Sequence, residues 1–321
     1  MNLLVTGGAG FIGSNFVRMA LSGTLTGIQQ ITVLDKLTYA GSLSNLKEVE
    51  NNENFKFVLG DICDASLVNK LITEHDAVIH FAAESHVDRS ISNPTEFVRT
   101  NVEGTSVLLS ALKFNPNARF VHVSTDEVYG SIAVGSWTED FPLAPNSPYS
   151  ASKAASDLLA LAFHRTYGYK ISVTRCSNNY GPYQFPEKLI PLFITNLIEG
   201  KKVPLYGDGT NIREWIHVDD HCRALHKVLF DGTPGDIYNI GSQNESSNLN
   251  LARLILRAFS LTDDSIDFVT DRAGHDFRYS LDYSKITREL GFVEEIKLSE
   301  GLTETIRWYQ ENNSWWQEKK H

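Results

Sequence analysis

The sequence predicts an α/β protein: a doubly wound, mostly parallel sheet with a smaller C-terminal α/β domain. Three observations carry this. Short apolar runs alternate with helical patterns through the first half of the chain. A glycine-rich loop joins the first run to the first helical pattern. After about residue 176 the alternation loosens into segments rich in Asn, Pro and Gly. Strand–helix alternation of this length implies right-handed βαβ crossovers and a parallel sheet covered on both faces.

The expected strands are 3–6, 30–34, 55–59, 77–81, 120–123 and 171–174. Each is short, apolar or β-branched and bounded by turn residues, as buried parallel strands are. Helical patterns cover 11–21, 66–73, 95–112 and 150–167, then 188–199, 219–229, 249–259 and 298–312. No Ser/Gly linker or repeat separates the halves. The expected division is a dinucleotide-binding domain over 1–176 with a returning segment near 207–235, and a second domain from 177–206 and 236–321.

With 321 residues, 42% hydrophobic and 21% charged, the chain is long enough for two domains sharing an interface. A net charge of −10 argues against nucleic acid or an anionic membrane as partner, because both require a basic face. Cys63, Cys176 and Cys222 have no metal-ligand spacing and are expected as reduced, buried thiols; no metal site is expected. The chain enters a strand within two residues of Met1 and has no apolar run of about 18 residues, so a cytoplasmic location is expected.

Gly7, Gly10 and Gly13 stand directly after a strand and before a helix. A tight turn, close approach of a pyrophosphate and close helix–strand packing exclude a Cβ there. The helix N-terminus then presents free N–H groups and a partial positive charge to phosphates. Asp35 ends the next strand, twenty-two residues beyond Gly13, as a carboxylate for ribose hydroxyls should. It would repel a 2′-phosphate, so NAD is expected over NADP, although Lys36 follows it. Asp61 and Ile62 follow the third strand, and Phe81, Ala82, Ala83 and Ser85 the fourth. The small alanines allow a ligand to approach the backbone. This is the pattern of a Rossmann sheet.

Tyr149 and Lys153 lie four residues apart on one face of a predicted helix. A tyrosine is a poor base at neutral pH. A neighbouring ammonium and a nicotinamide cation should both favour tyrosinate and lower its pKa. Thr125, at a strand end, can hydrogen-bond the same substrate hydroxyl. Asp126 and Glu127 can reach one ligand together only if their strand ends there, since successive strand residues point to opposite faces. Two close, half-buried carboxyls should split into one raised and one low pKa, giving an acid and a base.

These segments, with 35–41, 82–90 and 125–130, resemble the extended short-chain dehydrogenases/reductases, and within them the dTDP-glucose 4,6-dehydratase family. The resemblance runs from residue 1 to about 290. It implies bound NAD, a dTDP-sugar substrate and a homodimer. It implies that Tyr149 takes the proton of the sugar 4-hydroxyl as hydride leaves carbon 4, that Glu127 removes the carbon 5 proton, and that Asp126 protonates the departing 6-hydroxyl. Phe11, Ile12, Leu37, Thr38, Thr100 and Asn179 join the implied cofactor contacts. The implied substrate contacts are Ser85, Thr125, Asn178, Lys188 and Leu189, then Pro204, Tyr206, Arg213, Asn248, Arg272 and His275. Arg213 and Arg272 have the forked donors that suit a pyrophosphate. Ala273 replaces an expected proline beside His275.

Two alternatives stay open at this level. One is a UDP-sugar dehydratase or epimerase of the same superfamily, although epimerases would not need Asp126 and Glu127. The other is a non-catalytic NAD-binding sensor, which would commonly lose the Tyr–Lys pair. The helices at 95–112 and 150–167 are apolar enough to supply a two-fold dimer face. The Trp308, Trp315, Trp316 tail is expected to pack on the sheet or a partner.

Overall fold

A computed structural model describes residues 1–271 and 274–320. The six strands expected in the first half are present: β1 Asn2–Thr6, β2 Gln30–Asp35, β3 Phe55–Leu59, β4 Ala77–His80, β5 Arg119–Thr125 and β6 Lys170–Cys176. They are followed by β7 Asn178–Tyr180, β8 Val203–Tyr206, β9 Ile212–His217, β10 Ile237–Ile240, β11 Glu245–Ser247 and β12 Ile266–Val269. The main sheet has the order β10-β6-β5-β4-β1-β2-β3, with every pairing parallel. Strand order reverses between β1 and β4, which creates a crevice at their carboxyl ends.

Alternation along β1 assigns the two faces. Leu3 and Val5 join one core with the helices Phe11–Leu21 and Val218–Asp231. Leu4 joins the other with the helices Ala65–Thr73, Thr105–Ala111 and Pro148–Tyr167. All three are fully buried, which is why the strand reads as continuously apolar. A third core gathers the helices Leu189–Ile198, Asn248–Ala258 and Leu298–Glu311 with Trp316. Two small sheets, β11-β9-β7 and β12-β8, accompany it. No helix among the described residues is long and apolar enough to cross a membrane.

Two expectations change. The segment 236–321, assigned wholly to the second domain, supplies β10 to the main sheet beside β6, whereas β9, inside the returning segment, sits in a small sheet. At four residues β10 is too short to show a period. The single helix expected over 95–112 is broken. Pro94–Phe97 is α, Val98–Gly104 is a π turn, Thr105–Ala111 is α again, and Leu112–Phe114 is 3₁₀. A Cβ on Gly104 would meet Ile62 Cδ1 at 2.4 Å, so the widened turn is pressed against the loop after β3. Such π turns are rare and gather at functional sites.

Candidate active site

The carboxyl ends of β2, β1, β4, β5 and β6 open into one cleft. Its first wall is the glycine loop. Gly7 takes φ +72, and a Cβ there would meet Ala82 N at 2.4 Å. A Cβ on Gly13 would meet Gly7 O at 2.4 Å, so helix and loop touch through backbone alone. Gly10 caps the helix Phe11–Leu21 with no side-chain hydrogen bond, and Gly10 through Gly13, which carry its first N–H groups, line the cleft. That is a cradle for a pyrophosphate. Asp35 accepts from Ala9 N at 2.9 Å and Leu37 N at 2.8 Å. Burial pushes its carboxyl up against those two bonds. Lys36 pairs with Asp61 at 2.8 Å.

The second element is the end of β5. The strand stops at Thr125, whose Oγ1 accepts from Glu127 N at 3.3 Å and caps the 3₁₀ turn Asp126–Tyr129. The turn is what sends both acidic side chains into the cleft, as the sequence requires. Thr125 Oγ1 donates to Asp126 Oδ1 at 3.2 Å. Asp126 is buried, and its Oδ2 has no partner among the described residues. Burial, then the charges of Glu127 and Glu214, push its carboxyl well above the ordinary range, with Arg213 opposing. The Asp126 carboxyl is thereby shifted toward its protonated, acid form.

The third element is the helix Pro148–Tyr167. Proline at its first position and a reciprocal Ser147–Ser150 cap fix where it begins, and so where Tyr149 points. Tyr149 and Lys153 are both buried against the cleft. Lys153 Nζ donates to Val123 O at 2.8 Å, and burial lowers its pKa to about 8, with Asp157 opposing. The protein groups alone act on the Tyr149 phenol in the opposite sense to the ammonium and nicotinamide cation. Burial, then the Glu127 charge, push the phenol well above its usual value, and only Thr125 works against them. Lys153 is committed to the β5 carbonyl, and two carboxyls share the site with the phenol.

Of the expected cofactor residues, Gly7, Gly10, Phe11, Ile12, Gly13, Asp35, Lys36, Thr38, Asp61 and Ile62 line the cleft. So do Phe81, Ala82, Ala83, Ser85, Thr100, Tyr149, Lys153 and Asn179. Leu37 does not; with φ +54 it turns back to pack on the main core. Of the expected substrate residues, Ser85, Thr125, Asn178 and Lys188 line it, and Lys188 Nζ donates to Ser85 O at 2.9 Å. Leu189 and Pro204 do not, nor do Tyr206, Arg213, Asn248 and His275. Arg213 spends its guanidinium on the carbonyls of Ile212, Asp276 and Phe277 and lies 4.2 Å over the Tyr279 ring, while its charge reaches Asp126. Tyr206 Oη reaches Asp88 at 3.3 Å, and its ring meets that of His275. Arg272 and Ala273 lie outside the described residues.

Sequence reasoning missed Asn101, Gln184 and Phe185. Asn101, on the π turn, accepts from Glu84 N at 2.9 Å and donates to Glu84 O at 3.0 Å and Ser152 Oγ at 2.8 Å. It ties the strand-end segment of Ala82 and Ala83 to the helix of Tyr149. Arg99, Thr100 and Glu103 surround it in sequence, so no local signal singles Asn101 out. Gln184 and Phe185 line the cleft from the loop after β7, where no periodicity marks them.

Fold and site together define a nucleotide-sugar enzyme of the short-chain dehydrogenase/reductase class. The family model described as GDP-mannose 4,6 dehydratase matches residues 4–305. A dTDP-glucose 4,6-dehydratase of Streptomyces niveus is 57% identical over 322 residues, covering 100% of this chain and 96% of that one. The Escherichia coli dTDP-glucose 4,6-dehydratase is 48% identical over 349 residues, covering 99% and 96%. The solved structure of DesIV, a dTDP-glucose 4,6-dehydratase of Streptomyces venezuelae with NAD and TYD bound, superposes with a TM-score of 0.98 at 55% identity, covering 99% and 100%. The chain belongs to the dTDP-glucose 4,6-dehydratase family.

Proposed function

We propose that this chain is an NAD-dependent dehydratase that converts dTDP-glucose to dTDP-4-keto-6-deoxyglucose. The observation that carries the reading is the Asp126–Glu127 turn facing the same cleft as Tyr149 and the glycine loop. The identity of its relatives supports the substrate.

Gly7, Gly10 and Gly13 would hold the pyrophosphate of NAD, and Asp35 a ribose. When bound, NAD supplies the acceptor for hydrogen from carbon 4 of the sugar and its return to carbon 6. The protein moves the protons. Tyr149, assisted by Thr125, takes the proton of the 4-hydroxyl, and Lys153 supplies the positive charge that balances the phenolate. Oxidation at carbon 4 makes the neighbouring carbon 5 proton acidic, and Glu127 removes it. Asp126, whose carboxyl burial pushes up, gives a proton to the 6-hydroxyl, which leaves as water. An epimerase needs no such step and would leave both carboxyls without a task.

The chain works as a homodimer. Ile91, Val98 and Leu158 are 44, 55 and 59% exposed on the helices Val87–Ser92 and Pro148–Tyr167 and the π turn, an apolar face suited to a second copy. Free Cys63, Cys176 and Cys222 suit a reducing compartment, which supports a cytoplasmic location. The deciding experiment is incubation of the purified protein with dTDP-glucose and, separately, UDP-glucose, assaying each for the 4-keto-6-deoxy product. Product from dTDP-glucose is expected; product from UDP-glucose alone would overturn the reading.

A further inference from the structure

The tryptophan-rich tail does not pack on the main sheet. The helix Asn313–Lys320 crosses instead to the short 3₁₀ turn Leu43–Leu46, beside the glycine loop. Trp315 Nε1 donates to Asn45 Oδ1 at 3.0 Å, and Lys319 Nζ donates to Ser44 Oγ at 3.0 Å. Asn45 is buried, and its Nδ2 donates to Ala9 O at 2.8 Å. Ala9 N in turn donates to Asp35 Oδ2 at 2.9 Å. A continuous line of hydrogen bonds thus runs from the last helix to the glycine loop and the acidic end of β2.

The same tail holds the opposite wall. Tyr309 Oη donates to Gln184 O, and Gln184 and Phe185 line the cleft. Tyr183, at φ +66, is held by Trp308 at 4.5 Å and Trp315 at 5.5 Å between ring centroids. A non-glycine residue persists at positive φ only when its surroundings fix it. Arg18 lies 4.1 Å over the Tyr183 ring and donates to Asn45 O at 2.7 Å, which closes the circuit between the walls. Neither Trp308 nor Trp315 lines the cleft.

We infer that the C-terminal aromatic cluster is a strap across both walls of the cofactor cleft, and that Trp315, acting through Asn45 and Ala9, sets how slowly NAD leaves. The inference rests on reading the cleft as the NAD site. A reaction that returns the hydrogen it removes has no use for cofactor exchange, and a strap from the far end of the chain opposes exchange without entering the cleft. Trp315 is a positioning residue, since it acts on the glycine loop through Asn45.

The test is the release rate of bound NAD from full-length protein, followed by chase with a fluorescent NAD analogue. Trp315→Phe keeps an aromatic ring, though a smaller one, and removes the N–H donor, so release should quicken at least about fivefold, the worth of one neutral hydrogen bond. Asn45→Asp keeps the acceptor for Trp315 but removes the donor to Ala9, and release should again quicken. The double variant should release NAD about as fast as the quicker single variant, because both changes cut one line. Unchanged release in Trp315→Phe, or fully additive effects, would overturn the inference. So would a melting temperature of NAD-stripped Trp315→Phe that falls in step with retention, since that marks a general prop. A wild-type protein that neither carries nor binds NAD would instead sink the reading of the cleft itself.

Discussion

Lys153 is anchored to Val123: its Nζ donates to that carbonyl at 2.8 Å, two residues before the strand ends at Thr125. The ammonium is thereby fixed to the strand that carries the acid–base turn. Burial lowers its pKa to about 8, with Asp157 opposing. In the proposed reaction its charged form supports catalysis, and that form is lost above this value. Activity should therefore fall on an alkaline limb near pH 8, while Lys153→Arg, charged throughout, should lose that limb. A limb unmoved by Lys153→Arg would assign it to another group. Stability should run the other way. The unfolded lysine binds its proton up to the ordinary value of 10.5 and the folded one only to about 8, so this group's contribution to stability rises with pH between them.

Behind Lys153, one helical turn on, Asp157 takes Arg175 Nε at 2.9 Å, and both are fully enclosed. Arg175 Nη1 continues to Tyr129 Oη at 2.8 Å, at the close of the turn bearing Asp126 and Glu127. Asp157→Asn leaves the guanidinium buried without its counter-charge, and should cost about 3–5 kcal/mol in denaturant unfolding. Burial alone would raise the Asp157 carboxyl, but His122 at 3.3 Å and Arg175 outweigh it and hold it low. Its stabilisation is thus fully present above the unfolded value of 3.8 and lost as pH falls through the lower folded value. The variant should lose that acid dependence.

The strands β1, β2, β4, β5 and β6 were legible because buried parallel strands are largely apolar, whereas β3, a half-exposed edge strand that includes Lys56, was legible from its Phe and Val content. The glycine loop, Asp35 and the end of β5 were legible because backbone geometry restricts their residue types locally. What needed the structure was whatever depends on distance across the fold. The phenol of Tyr149 feels Glu127, brought to it from another element, and no spacing between them states the sign of that effect. Arg213 reads as an anion grip, yet its fork is filled by backbone carbonyls from 276 and 277. Asn101 is one polar residue among several, and it is the π turn that places it between Glu84 and Ser152.

Gly7 and Gly23 offer a controlled pair, at φ +72 and +86. Alanine at Gly23 would meet nothing within 4 Å and should cost only the left-handed backbone penalty, about 1–2 kcal/mol. At Gly7 the new Cβ would sit 2.4 Å from Ala82 N, so the loop must also move off β4. Gly7→Ala should lose bound NAD on purification, whereas Gly23→Ala should keep it at slightly reduced melting temperature. Equal NAD content in the two proteins would mean that the glycine loop does not shape the site.

The proposed reaction gives Asp126 and Glu127 two separate proton transfers, and solvent deuterium can separate them. Asp126 is buried, with its carboxyl pushed up; Glu127 lies next in the same turn and faces the same cleft. Asp126→Asn keeps the shape and removes the acid, so the 4-keto-6-deoxy product should form about 10²–10⁴-fold more slowly. Glu127 remains, so the sugar recovered from D₂O should still carry deuterium at carbon 5. Glu127→Gln should lose both product and that exchange, because the base is gone. Tyr149→Phe should also lose both, for an earlier reason: without oxidation at carbon 4 the carbon 5 proton is never acidic. Measured by mass spectrometry of recovered sugar, the informative contrast is exchange without product in Asp126→Asn against neither in Glu127→Gln. Full activity in Asp126→Asn, or carbon 5 exchange surviving in Glu127→Gln, would show that the pair does not divide the work in this way and that the acidic turn serves binding or structure instead.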